Sequence, residues 1–141
     1  MNDQMEVSIE YPNGCIDGAT LVTPLGSDRY RLDRDPLSCL MAANDHELRR
    51  LPNYRDIIEA TTLKPNVLKF VRVAERASLR KYDWVLSRDS VGSEGLRKVL
   101  LRVESEGGHW DRVFGGILVI YIPTTSPYDP TGDMKQIHHD A

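Results

Sequence analysis

The sequence predicts an α+β fold, in which a bent N-terminal antiparallel sheet or partial barrel packs with a C-terminal β-α-β-β unit. Three patterns lead to this fold class. Apolar and polar residues alternate in several short N-terminal runs, apolar residues recur at helical spacing between Leu96 and Val103, and residues 117–122 are apolar without interruption. Alternation indicates half-buried strands, helical spacing indicates an amphipathic helix, and a continuous apolar run indicates a central strand.

The N-terminal part, residues 1–76, is predicted to be mostly β with one helical insertion. Turn-forming residues separate its alternating runs, as at Gly26-Ser27-Asp28 and at Lys64-Pro65-Asn66. Asp35-Pro36 starts the insertion, because a capping residue followed by proline is typical of a helix N-terminus. The strands are expected at residues 5–9, 19–25, 29–33, 55–62 and 67–74.

An amphipathic helix is the clearest element of the C-terminal part, residues 81–123. Its apolar positions recur at i, i+3, i+4 and i+7, so one face belongs to the core. Ser90 or Ser93 can cap its start, and Gly107 suits its end because glycine readily adopts positive φ. The apolar positions are Leu96, Val99, Leu100 and Val103.

Strands are predicted on both sides of this helix. Tyr82 and Trp84 alternate with polar residues before it, and residues 109–114 alternate after it. Gly115-Gly116 then supplies a hairpin turn into the apolar run, which Pro123 ends because proline has no donor for a sheet. These elements form the β-α-β-β unit.

The domain organisation follows from length and composition. A chain of 141 residues can bury one core, and residues 1–123 are expected to form a single α+β domain. Residues 124–141 contain a single aliphatic residue, Ile137, among prolines and polar residues. We expect a polar tail there, either disordered or laid over a neighbour.

The composition also bears on compartment and redox state. The hydrophobic share is 40%, the formal net charge is −3, and no apolar run approaches the roughly 18 residues that cross a bilayer. The N-terminal residues lack the pattern of a secretion signal, so we expect a cytoplasmic protein with no membrane partner. Cys15 and Cys39 are too few for a disulfide framework, and we expect reduced thiols.

The run Gly107-Gly108-His109-Trp110-Asp111 is the strongest candidate for chemistry. Glycines beside a histidine can form an anion nest or admit a ligand close to the backbone. The same run fits a helix C-cap that leads into a strand with Trp110 in the core, which we favour. Within it, His109 is the best candidate for a ligand contact, and His109 with Asp111 are the catalytic candidates.

Two further groups contain residue types that bind ligands. His138 and His139 are metal-ligand types, but adjacent histidines in an extended tail point to opposite sides, so no metal site is expected. Basic residues near Tyr82 and Trp84 would suit single-stranded nucleic acid if those rings were exposed. The alternation places the rings inward, so nucleic acid is not expected as a partner. The basic residues are Arg72, Arg76, Arg80, Lys81 and Arg88.

Five short segments carry a resemblance to a known family. They are Arg29-Tyr30-Arg31-Leu32, Tyr54 to Ala60, Phe70-Val71-Arg72-Val73, Gly107 to Asp111, and Ile117 to Pro123. Through them, roughly residues 19–123 resemble a bacterial family of uncharacterised proteins, domain of unknown function four-two-six-five. The resemblance implies a bacterial protein and brings no catalytic residue, because none is established for that family.

The expected function is a non-catalytic binding or protein-interaction module without a cofactor. No phosphate loop, dinucleotide fingerprint, zinc-binding helix or nucleophile elbow stands in the sequence. The alternative is a small hydrolase-like enzyme in which Asp111 or Asp56 orients His109. An edge strand, either the last strand or the Tyr82 strand, would offer a pairing surface for a homodimer or a protein partner.

Overall fold

The computed structural model describes residues 3–36, 46, 49–113 and 116–140. Within them the fold is α+β, as predicted, with eight strands and two helices. Neither helix in this part of the chain has the length and apolar character needed to cross a membrane. The chain divides into two compact units, residues 1–77 and residues 78–141.

Unit 1 (residues 1–77) is a five-stranded barrel. Its strands are β1 (Met5–Glu10), β2 (Ile16–Gly26), β3 (Arg29–Leu32), β4 (Ile57–Lys64) and β5 (Val67–Glu75). Successive strands pair antiparallel, and β5 pairs in parallel with β1, which closes the sheet. The predicted bent sheet or partial barrel is therefore closed.

The barrel is filled by alternate residues of its strands, in agreement with the period of two in the sequence. Tyr11 and Phe70 pack against each other at one place in this core, with ring centroids 5.2 Å apart. The fully buried aliphatic side chains are Ile9, Val22, Leu32, Ile58 and Ala60.

Cys15, between β1 and β2, is disulfide-bonded. The prediction of reduced thiols is therefore wrong for this residue, because a count of two cysteines excludes a framework of bridges but still allows a single bridge. The sequence has one other cysteine, Cys39, which lies outside the described residues. Most of the predicted helical insertion after Asp35-Pro36 also lies outside them.

Unit 2 (residues 78–141) contains the predicted β-α-β-β unit and a second helix. Its elements are β6 (Leu79–Val85), α1 (Glu94–Ser105), β7 (His109–Val113), β8 (Ile117–Pro123) and α2 (Thr131–Asp140). β8 lies between β6 and β7 and is antiparallel to both. Of the two strands predicted as edges, the Tyr82 strand (β6) lies at an edge and the last strand is central.

The core of unit 2 lies between its sheet and helix α1. The buried face of α1 carries Leu96, Val99 and Val103, and Tyr82 and Trp84 pack partly buried against the same core. The two aromatic rings stack at 4° with centroids 5.9 Å apart. The inward placement predicted for these rings is therefore observed.

Helix α1 is capped at both ends by the predicted residues. At its start, the Ser93 hydroxyl accepts a hydrogen bond from the Leu96 amide at 3.2 Å. At its end, Gly107 has a φ of +80°, and the Gly107 and Gly108 amides donate to the carbonyls of Glu104 and Val103 at 3.1 and 2.9 Å. This is a Schellman motif. Both glycine amides bond the helix, which favours the cap over the anion nest.

The expectation of a polar tail over residues 124–141 is wrong for residues 131–140, which form α2. Met134 is fully buried and Ile137 is 8% exposed in the core of unit 2, so a narrow apolar stripe docks this helix. The prolines that suggested a tail lie in the loop before α2. His138 and His139 fall in the last turn of α2, and their side chains lie outside the described part.

Gly108 lies where the end of helix α1 closely approaches the sheet. A Cβ there would overlap the Tyr121 carbonyl oxygen and lie 2.9 Å from the Val103 side chain. We expect Gly108→Ala to lower the free energy of unfolding by about 1–3 kcal/mol, measured by urea denaturation.

Gly132→Ala is the matched control, because a Cβ at this position in α2 meets nothing within 4 Å. It should leave stability unchanged or raise it, since alanine favours helix over glycine. Wild-type stability in the Gly108→Ala variant would contradict the close approach.

Candidate functional site

A groove of about 680 Å³ runs along β5 in unit 1. Seven consecutive residues, 70–76, line one side of it, and residues 49–51 line the other. The turn after β1 contributes Pro12 and Asn13, and the exposed His46 also borders the groove. Its size falls in the range of about 300–1,000 Å³ that is usual for ligand-binding clefts.

Two β-bulges shape β5 where it lines the groove. In each, neighbouring residues of β4 pair with residues of β5 that are two apart, which leaves one extra residue on β5. The extra residues are Val71 and Ala74, and both line the groove. The Val71 side chain is 50% exposed although it lies in an apolar strand segment. Bulges redirect side chains and are over-represented beside active sites, so this part of β5 is built differently from a regular strand.

The buried carboxylate of Asp56 organises the border of the groove. Its side chain is 3% exposed and accepts three hydrogen bonds, each 2.8 Å long, from the Asn53 amide, the Ala77 amide and the Arg76 guanidinium. Both carboxylate oxygens are engaged by these bonds within unit 1. This arrangement favours a structural role for Asp56 over the predicted role of orienting His109.

Arg76 extends this network to the opposite side of the groove. Besides the Asp56 carboxylate, its guanidinium contacts two backbone carbonyls, those of Arg49 and Leu51, at 2.8 and 2.9 Å. The backbone that carries Arg49 and Arg50 is thereby fixed to the end of β5. Both of these arginines are exposed, and neither forms an ion pair with another described residue.

The groove combines a basic rim with an apolar floor. Four arginines line it against one acidic residue, Glu75. Arg72 and Arg76 already pair with Glu59 and Asp56, at 2.6 and 2.8 Å. The excess positive charge therefore comes from the remaining two arginines. The apolar lining residues, referred to as the floor, are Leu51, Phe70, Val71 and Val73, of which Val71 is the most exposed.

Sequence reasoning missed this site. The Arg49-Arg50 pair is its one local signal, since two adjacent basic residues stand beside an apolar position, Leu51. The order of apolar and polar residues in β5 does not indicate the bulge that exposes Val71. The contacts of Arg76 with residues 49–51 join positions more than 20 residues apart.

The catalytic candidates His109 and Asp111 lie on β7, an edge strand of the sheet in unit 2. Their side chains are close, since a ring nitrogen of His109 and a carboxylate oxygen of Asp111 lie within 4.8 Å of each other. The His109 ring lies 6.4 Å from the ring of Tyr121. Neither candidate lines the β5 groove or the two further cavities beside α1, of about 730 and 270 Å³.

A second group of polar side chains, Tyr11 and Asp17, lies inside the barrel. The Tyr11 hydroxyl and one carboxylate oxygen of Asp17 are buried without a hydrogen-bond partner among the described residues. Burial raises the pKa of Asp17 to about 6, against opposing effects of the Thr20 hydroxyl and the Arg34 guanidinium. Burial and the nearby Asp17 charge also raise the pKa of Tyr11.

Asp33 is a second carboxylate of the same barrel, and its pKa is shifted in the opposite direction. Burial alone would raise its pKa, but hydrogen bonds from Thr23 and Arg31 and the charge of Arg31 outweigh this effect and lower the pKa. The Thr23 and Arg31 bonds are 2.5 and 2.8 Å long. The two carboxylates therefore affect stability over different pH ranges.

The raised pKa of Asp17 predicts that stability falls as the pH rises from about 4 to 6. The unfolded chain releases this proton near 3.8, whereas the folded chain holds it until about 6, so rising pH favours the unfolded state in this window. We expect Asp17→Asn to be more stable than the wild type by about 1 kcal/mol at pH 7, a value reduced for partial solvent exposure.

At about pH 4 the variant and the wild type should differ much less, because Asp17 is then largely protonated in the folded state. Urea denaturation at both pH values measures the two differences. A stability difference that is the same at both pH values would contradict the raised pKa.

The fold is similar to that of one solved structure, the crystal structure of a hypothetical protein from Neisseria gonorrhoeae. The TM-score is 0.56, and the alignment covers 99% of this chain and 89% of that chain at 12% identity. At this identity the likeness shows the fold alone. No family model and no curated protein matches the sequence. The resemblance to domain of unknown function four-two-six-five stays a prediction.

Proposed function

We propose that the protein is a non-catalytic interaction module that pairs with a second copy of itself through the edge strand β6. The observation that carries this proposal is the charge order along β6, which is complementary to itself when two copies run antiparallel. β6 lies at the edge of its sheet and pairs only with β8 among the described strands. An edge strand offers backbone groups for pairing with another chain.

The backbone groups available at this edge follow from the pairing with β8. Hydrogen bonds join Leu86 to Gly116 and Thr124 to Ser78, so the even-numbered residues of β6 bond to β8. The amides and carbonyls of the odd-numbered residues therefore point away from β8. On the same odd-numbered positions, the side chains of Lys81, Asp83 and Val85 are exposed, Val85 by 76%.

An antiparallel pair of β6 strands centred on Tyr82 places Lys81 of each copy opposite Asp83 of the other. The two-fold axis makes this contact twice, and it sets Leu79 opposite the exposed Val85. Opposite charges facing each other across strands are favourable, whereas like charges are not. The Lys81 ammonium lies 6.0 Å from the Tyr121 ring and has three donors, so it can also serve a facing carboxylate.

Charge also selects this register over its neighbours. The adjacent registers that keep the same backbone bonding are centred on Lys81 or on Asp83. They would place two ammonium groups or two carboxylates directly opposite each other, which is unfavourable. The register centred on Tyr82 avoids both repulsions.

The alternative function, a small hydrolase, is supported by the proximity of His109 and Asp111. A carboxylate within 4.8 Å can orient an imidazole for acid/base work. Neither residue lines one of the three cavities, and a substrate would need such a space. Turnover of ester or phosphate substrates that is lost in His109→Ala would favour the enzyme over the interaction module.

Charge reversal on β6 tests the pairing. Lys81→Asp places an acidic residue at both exposed positions, 81 and 83, and Asp83→Lys places a basic residue at both. We expect each variant alone to dimerise about tenfold more weakly than the wild type or worse, because both symmetric contacts become repulsive. A mixture of the two variants should dimerise as the wild type does, which analytical ultracentrifugation measures.

Asp89→Lys is the matched control, since it reverses an exposed acidic charge of unit 2 outside the strand. It should dimerise like the wild type. A wild-type protein that stays monomeric at high concentration, or dimers that tolerate either β6 variant alone, would overturn the proposal.

A further inference from the structure

The residues that line the β5 groove along the strand match an extended chain in length. The seven residues 70–76 follow one another along one side. At about 3.3 Å per residue they span roughly 20 Å, the length of an extended peptide of about seven residues. The opposite side is formed by residues 49–51, which Arg76 holds in place through two backbone carbonyls.

The rim of the groove selects for negative charge. Arg49 and Arg50 are exposed on one side. Arg72, which is 56% exposed, stands on the other, and its guanidinium keeps donors beyond the one it uses on Glu59. Guanidinium groups bind carboxylates through paired hydrogen bonds, so acidic side chains suit this rim.

The floor of the groove selects for apolar side chains. Val71 stands half exposed on the bulge of β5 and Val73 is partly buried, so these two valines supply the accessible apolar surface, whereas Leu51 and Phe70 are 4% and 5% exposed. An extended chain presents successive side chains to opposite sides. A sequence that alternates apolar and acidic residues would therefore place apolar groups on the floor while its carboxylates reach the rim.

We infer that this groove binds a partner protein through an extended peptide segment that alternates acidic and apolar residues. The inference goes beyond self-pairing through β6, since the groove belongs to unit 1 and β6 to unit 2. Nucleic acid suits the groove less well, because base stacking needs exposed aromatic rings. The described lining residues offer two rings, Phe70, which is 5% exposed and packs on Tyr11, and the exposed His46, so His46 alone is open to a base.

Fluorescence polarisation with synthetic peptides tests the inference on the full chain. The probe is a labelled peptide of about seven residues that alternates glutamate and leucine. Two matched peptides carry glutamine or lysine in place of glutamate. We expect the acidic peptide to bind more tightly than the glutamine peptide by about tenfold or more, and to weaken as salt is raised.

Substitutions then locate the binding. The double variant Arg49→Glu, Arg50→Glu should weaken binding of the acidic peptide by about tenfold or more. Val71→Gln should weaken it by several fold through loss of apolar contact. Arg97→Glu is the matched control, because Arg97 is an exposed arginine of α1 in unit 2, and binding should not change. Asp83→Lys should also leave peptide binding unchanged, which separates this test from the test of β6 pairing.

Three results would overturn the inference. Equal binding of the acidic and glutamine peptides would remove the role of charge. Binding that survives the double arginine variant would place the peptide elsewhere. A single-stranded oligonucleotide that binds more tightly than the acidic peptide, and loses binding in the double arginine variant, would assign the groove to nucleic acid.

Discussion

The buried carboxylate of Asp56 is the contact on which the candidate peptide site depends. Three donors converge on it, the amides of Asn53 and Ala77 and the Arg76 guanidinium, and they lie at or just beyond the ends of the two segments that line the groove, residues 49–51 and 70–76. Arg76 is 44% exposed, so solvent screens the attraction and the pair contributes little by charge alone. The main effect of the Asp56–Arg76 pair is to position the neighbouring backbone. It fixes residues 49–53 against the end of β5, and the rim arginines are held on that fixed backbone.

The fold could be predicted from the sequence wherever its signals are local. The signals for helix α1, which are its periodicity, its Ser93 cap and its terminal glycine, lie within about fifteen neighbouring residues. Strand β8 is one continuous apolar run. Closure of the barrel is different, because β1 and β5 pair in parallel across a long stretch of chain and nothing local marks that pairing. Among its described side chains, helix α2 docks through Met134 and Ile137, a short apolar signal that the preceding prolines outweighed.

The site was less predictable than the fold because its geometry comes from irregular and long-range features. The alternation in β5 predicts a regular strand, yet two bulges interrupt it, and one of them turns Val71 outward. The sequence places Arg76 among neighbouring basic residues that would suit nucleic acid, although its contacts are with Asp56 and the backbone of residues 49–51. The charge order of β6 stands in the sequence, and the structure adds that its odd-numbered residues face outward.

Amide hydrogen exchange in an Asp56→Asn variant tests most directly whether this carboxylate holds the groove. An asparagine keeps one acceptor oxygen, so it cannot satisfy all three donors that Asp56 serves. We expect faster exchange at the Asn53 and Ala77 amides than in the wild type, while the amides within the paired strands β2 and β4 keep their protection. Unchanged exchange at both amides would contradict this role of Asp56, because the groove would then be held without its carboxylate.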